Sequence, residues 1–134
     1  MPHIVLEYSS GLGQRFDSSA LLRQLHEILG ATQGFEFDRI KSRAVALGTY
    51  MVGRPPSEFV HVTVSFSPGR PRRPREELGR HLLGVLMAGA PQEKTGPRVH
   101  HSVEIREFAD GMYFTSQPGG EAPGDAGHPA SGAS

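Results

Sequence analysis

Twice along this chain, alternating apolar residues run into a turn and then into an amphipathic helix, and this repetition restricts the folds open to it. In the first unit, Ile4, Leu6 and Tyr8 alternate with His3, Val5 and Glu7, which gives a strand one apolar face. Ser9-Ser10-Gly11-Leu12-Gly13 reads as a turn. Asp17 suits a helix N-cap, with Phe16 before it placed to staple against Leu21. Leu21, Leu22, Leu25, Ile28 and Leu29 recur at helical spacing, and Gly30 is expected to stop the helix. After a connection from Ala31 to Asp38, a second strand is expected from Ile40 to Leu47. Strand alternation then places Lys41, Arg43 and Val45 on one of its faces.

The second unit follows a break at Gly53-Arg54-Pro55-Pro56-Ser57. Phe59 to Phe66 carries the strongest strand pattern, with Val60, Val62, Val64 and Phe66 on one face and His61, Thr63 and Ser65 on the other. Ser67 to Arg73 reads as a rigid cationic turn. Pro74 suits the first position of a second helix, with Glu76 and Glu77 in its first turn. Leu78, Leu82, Val85, Leu86 and Gly89 continue its apolar stripe. A last strand is expected near Ser102 to Phe108, and Met112-Tyr113-Phe114 as a short hairpin arm.

Two strand–helix–strand units predict an α+β fold of two layers. Right-handed crossovers put both helices on one face of a four-stranded mixed sheet. The other sheet face then has no cover from its own chain, and oligomerisation is the expected way to bury it. The domain is expected to span residues 2–115, and residues 116–134, rich in Gly, Pro, Ala and Ser, to form a disordered tail.

Composition removes several function classes. Lys plus Arg and Asp plus Glu each number 14 among 134 residues, so the formal charge is zero and argues against nucleic acid or an anionic membrane as the main partner. Without cysteine, the chain has no disulfide framework, thiolate nucleophile or Cys-ligated zinc. It shows no long apolar run and no signal-peptide pattern, so a cytoplasmic, non-membrane protein is expected. The histidines are scattered: His61 reads as a hydrogen-bonding strand residue, and the adjacent His100 and His101 point to opposite faces. No metal site is expected.

The candidate catalytic group lies at the first strand. A small residue such as Pro2 normally permits removal of Met1, which leaves a prolyl amine at the head of a buried strand. Ordinary α-amino groups titrate at about pH 7.7–8.0. Burial and nearby cations lower such a pKa, which makes Pro2 a candidate general base near neutral pH. Lys41 and Arg43 share a strand face and need solvent or an anion, since buried unpaired charge is costly.

The opening Pro2-His3-Ile4-Val5-Leu6-Glu7-Tyr8-Ser9, then Ile40-Lys41-Ser42-Arg43, Phe59-Val60-His61-Val62-Thr63, Pro68-Gly69-Arg70 and Glu104-Ile105, stand in order and spacing. Together they resemble the 5-carboxymethyl-2-hydroxymuconate isomerase family of the tautomerase superfamily. The resemblance spans Pro2 to Phe114. It implies a trimer of two-βαβ subunits in which Pro2 is the base. Arg43 and Arg70 match family arginines, and Phe114 matches an aromatic that closes a neighbour's pocket. Lys41 stands where the family has arginine, which keeps the charge but loses the planar fork that grips a carboxylate.

The expected activity is proton movement along a conjugated 2-hydroxydienoate dicarboxylate. Pro2 would be catalytic, with Lys41, Arg43, Arg70 and Phe114 binding substrate, without metal or cofactor. The chemistry needs one positioned base and cations that hold carboxylates and accept developing charge. Two other readings stay open. One is a different proline-dependent reaction, on another enol-keto acid or the hydration of an unsaturated acid. The other is a non-catalytic trimeric binding protein, in which Arg70 to Arg75 meet an anionic partner.

Overall fold

The structure is a computed structural model, described here for residues 1–116. Strand β1, His3–Ser9, leads through a 3₁₀ segment, Ser10–Arg15, to helix α1, Ser18–Ala31. Strand β2, Lys41–Leu47, closes the first unit. Strand β3, Ser57–Phe66, helix α2, Arg72–Gly89, and strand β4, Arg98–Glu107, form the second. The expected disordered tail, residues 116–134, lies outside the described residues apart from Ser116.

The strands form one mixed sheet in the order β2-β1-β3-β4. Each βαβ unit pairs its own strands in parallel, β1 with β2 and β3 with β4. The units join through the antiparallel centre pair β1–β3, with Ile4 opposite Val64 and Leu6 opposite Val62. Alternation therefore sends Ile4, Leu6, Val60, Val62, Val64 and Phe66 to one side, where all are fully buried. There they share a core with Leu21, Leu25 and Leu29 of α1 and Leu78, Leu82 and Leu86 of α2. Fully burying one such side chain stabilises by about 1.5–3 kcal/mol. Asp17 caps α1 as expected, its carboxylate accepting from the Ala20 N–H at 3.0 Å.

Three local expectations need correction. Gly30 does not stop α1, which continues to Ala31 and ends at Thr32. A Cβ at Gly30 would stand 2.9 Å from the Phe37 ring, so this glycine is there for close packing. Helix α2 starts at Arg72, two residues before Pro74. Pro74 is then the third helical residue, where a missing N–H is still harmless because the first turn has no intrahelical acceptors. Side-chain pairs Arg72–Glu76 and Arg73–Glu77 extend the helix to that earlier start. Met112-Tyr113-Phe114 forms no hairpin arm. Tyr113 instead stacks on Phe108, with ring centroids 4.4 Å apart and planes 14° apart.

The opposite sheet face carries no helix. Register places His3 beside Lys41, Val5 between Arg43 and Thr63, and Thr63 beside Glu104. His61 lies on this face as a hydrogen-bonding residue, 2.7 Å from Ser102 Oγ through Nδ1 and 3.2 Å from Thr63 Oγ1 through Nε2.

Candidate active site

All five residues singled out in the sequence map to one end of the sheet, where β1 and β2 begin and β3 and β4 finish. Pro2 is fully buried immediately before β1, and its carbonyl accepts from the Lys41 N–H at 3.0 Å. That bond fastens the first residue of β2 to the prospective base. Met1 is also buried, only 4% exposed, so its removal would open a space of about one side chain beside the prolyl nitrogen.

Lys41 and Arg43 are exposed and share the helix-free face. Arg43 Nη1 donates to His3 Nδ1 at 3.1 Å. A guanidinium only donates, so His3 Nδ1 holds a lone pair and the ring proton sits on Nε2. Nε2–H then donates to Tyr113 Oη, 2.9 Å away. A cavity of about 460 Å³ opens on this face, lined by His3, Val5, Glu7, Arg43, Thr63, Ser65, Arg106 and Phe108.

Arg70 lies at the same end of the sheet but on its helix side. Its Nη1 and Nη2 donate to the carbonyls of Gln33 and Gly34, both at 3.0 Å. Its Cζ stands 3.6 Å above the Phe35 ring and 5.5 Å from that of Phe66. A second cavity of about 330 Å³ borders it, lined in part by Phe35, Phe66, Pro71 and Arg75. Within one subunit the fold ties Lys41 to Pro2 through the backbone and Arg43 to His3 on the helix-free face, and directs Arg70 to the other side. Phe114 reaches no partner in the core and is 76% exposed.

Sequence reasoning missed His3, Tyr113 and Phe35 as neighbours of the cations. Their signal was proximity to candidate residues in the chain: His3 follows Pro2, and Tyr113 precedes Phe114. A different polar cluster closes the far end of β1. Buried Ser9 donates to Glu58 Oε1 at 2.7 Å and accepts from the Phe59 N–H at 2.9 Å. Tyr50 Oη donates to the same carboxylate oxygen at 2.8 Å. That bond, with burial and the carboxylate's charge, raises the Tyr50 phenol above its ordinary value of 10.0. Among the described residues, no three His, Asp or Glu side chains converge as a metal site.

Tandem βαβ units joined through antiparallel central strands, with a proline at the head of the first, define a tautomerase-like isomerase fold. A fused 4-OT symmetric trimer shares it at TM-score 0.66, with 13% identity, 86% of this chain and 92% of that one covered. A solved 5-carboxymethyl-2-hydroxymuconate isomerase from Deinococcus radiodurans R1 is more similar, at TM-score 0.78 and 28% identity over 87% of this chain and 89% of that one. The 5-carboxymethyl-2-hydroxymuconate Delta-isomerase of Escherichia coli is 24% identical over 116 residues, 85% of this chain and 92% of its own. The profile of the 5-carboxymethyl-2-hydroxymuconate isomerase family matches residues 2–118. This chain belongs to that family and is an isomerase.

Proposed function

We propose that this isomerase moves a proton along a conjugated 2-hydroxydienoate dicarboxylate resembling carboxymethyl-hydroxymuconate, with the Pro2 nitrogen as general base. The observation that carries the reading is the buried Pro2 at the head of β1, tied through its carbonyl to the Lys41 N–H, with Arg43 bonded to the adjacent His3. With Met1 removed, the prolyl nitrogen takes the proton from the enol oxygen and returns it to a carbon of the conjugated chain. One O–H bond breaks and one C–H bond forms, with no net oxidation. The intermediate is a dienolate, whose charge and carboxylates call for nearby cations.

Lys41 and Arg43 serve as those cations. Arg70, bonded to the Gln33 and Gly34 carbonyls on the helix side of the sheet, supports the fold at this end. Phe114 closes the pocket of a neighbouring copy in a homotrimer, in line with the trimeric form of the 4-OT protein that shares the fold. The setting is aromatic-compound catabolism in the cytoplasm. Since lysine at position 41 makes a point contact where a forked one would suit a dicarboxylate, a second reading is a proline-dependent reaction on another enol-keto acid.

Absorbance of the conjugated enol follows the reaction directly. Untagged protein, mass-checked for loss of Met1, is compared with Pro2→Ala. The proline base predicts a rate loss of about 10²–10⁴-fold in the variant, the usual weight of positioned proton transfer. Equal rates in the two proteins would refute it.

A further inference from the structure

We infer that His26 is a positioning residue for the anion-binding edge of this site: acting through Ser42, it holds β2 so that Lys41 and Arg43 stay on the helix-free face alongside His3 and Val5. The inference rests on the proposed isomerase site and assigns a role to a side chain remote from the chemistry.

The need for such a device follows from β2 itself. It is an edge strand, bonded on one side only, to β1. None of its seven side chains is buried; the nearest anchor is Ile40, just before it. Strands with few buried contacts open easily, and a slip of one residue would turn Lys41 and Arg43 towards α1.

His26 supplies the missing anchor. It projects from α1 with Nδ1 2.6 Å from Ser42 Oγ and Nε2 3.0 Å from the Phe37 carbonyl oxygen. A carbonyl only accepts, so the ring proton is on Nε2 and Nδ1 accepts the Ser42 hydroxyl proton. The ring also packs on Phe37, with centroids 4.4 Å apart. Ser42 lies between Lys41 and Arg43 in sequence. Alternate strand residues face opposite ways, so holding the Ser42 hydroxyl towards α1 presents both cations on the open face.

Amide substitutions separate the two ring contacts. His26→Asn keeps an acceptor near the Nδ1 position, whereas His26→Gln keeps a donor near Nε2 and loses the acceptor for Ser42. Two readouts are taken on each variant and on Ser42→Ala. The first is hydrogen exchange at the Lys41 amide, which bonds Pro2, with the Val62 and Val64 amides as an internal control for global stability. The second is KM and kcat for carboxymethyl-hydroxymuconate.

Loss of one such hydrogen bond is expected to speed Lys41 exchange and raise KM by about tenfold each in His26→Gln and Ser42→Ala. The control amides and kcat should change little, and His26→Asn should stay close to wild type. Unchanged Lys41 exchange and KM in His26→Gln and Ser42→Ala would overturn the inference. So would equal acceleration at every amide, which would make His26 a general fold contact. A wild-type protein that does not turn over this compound would instead count against the substrate reading, and Lys41 exchange would still decide whether His26 holds β2.

Discussion

Replacing Arg70 with alanine distinguishes an arginine that holds the fold from one that waits for a carboxylate. The guanidinium makes two charge-assisted bonds to the Gln33 and Gly34 carbonyls and lies over the Phe35 ring. Hydrogen bonds from a charged group each contribute about 1.5–3 kcal/mol, and a cation–π contact near the surface about 0.5–1 kcal/mol. Arg70 is only half-buried, so the low end of each range applies and the predicted loss is about 3.5 kcal/mol. Urea denaturation reads this from the transition midpoint at unchanged slope. Arg70→Lys keeps the charge but cannot reach both carbonyls with one planar fork, and should recover less than half the loss. A stability change in Arg70→Ala below about 0.5 kcal/mol, the usual range for a surface substitution, would refute the structural role. The guanidinium would then be available to substrate, and KM should carry the effect.

Two further outcomes follow from local packing and charge. Gly30→Ala gains about 1 kcal/mol of helix propensity, but its new Cβ would lie 2.9 Å from the Phe37 ring and 3.2 Å from the Phe37 Cα. Overpacking of this kind costs about 1–3 kcal/mol, so thermal unfolding should show net destabilisation; a stabilised variant would sink the packing argument. Tyr50 binds its phenolic proton more tightly in the folded state, because Glu58 accepts it, so its contribution to stability is present below pH 10 and fades as pH rises through its raised pKa. Ultraviolet titration should show a tyrosine ionising above the ordinary value of 10.0, and Tyr50→Phe should remove that step.

The parts of the fold legible in the sequence were those in which one residue's surroundings follow from its neighbours in the chain. Val60, Val62, Val64 and Phe66 specify a buried strand face by alternation alone, and Asp17 marks a helix start through a bond spanning three residues. Gly30 was misread because a glycine near a helix end has two uses, and only the approach of Phe37 decides between them. The site divides in the same way. Pro2, Lys41 and Arg43 could be placed by strand position. The contacts of Arg43 with His3, His26 with Ser42, and Arg70 with Gln33 and Gly34 depend on how β1, β2 and α1 are set against each other, which single-strand periodicity does not encode.

The arrangement of charge around Pro2 leads to a last prediction, about assembly. Arg43 stands on a sheet face without a helix, and in a lone subunit it looks into solvent, where an ion pair contributes about 0–1 kcal/mol. Covering that face with further copies would exclude water and strengthen the same contact several-fold by lowering the effective dielectric. Met112 and Phe114, 66% and 76% exposed, offer apolar cover at this end of the molecule. Binding of the anionic substrate should therefore depend on the proposed homotrimer. Sedimentation and activity measured together across a dilution series should show turnover per chain falling as the trimer dissociates, and Phe114→Ala should raise KM without unfolding the subunit. Full turnover per chain at concentrations where the protein sediments as a monomer would refute this, because the site would then need no neighbour to make Arg43 effective.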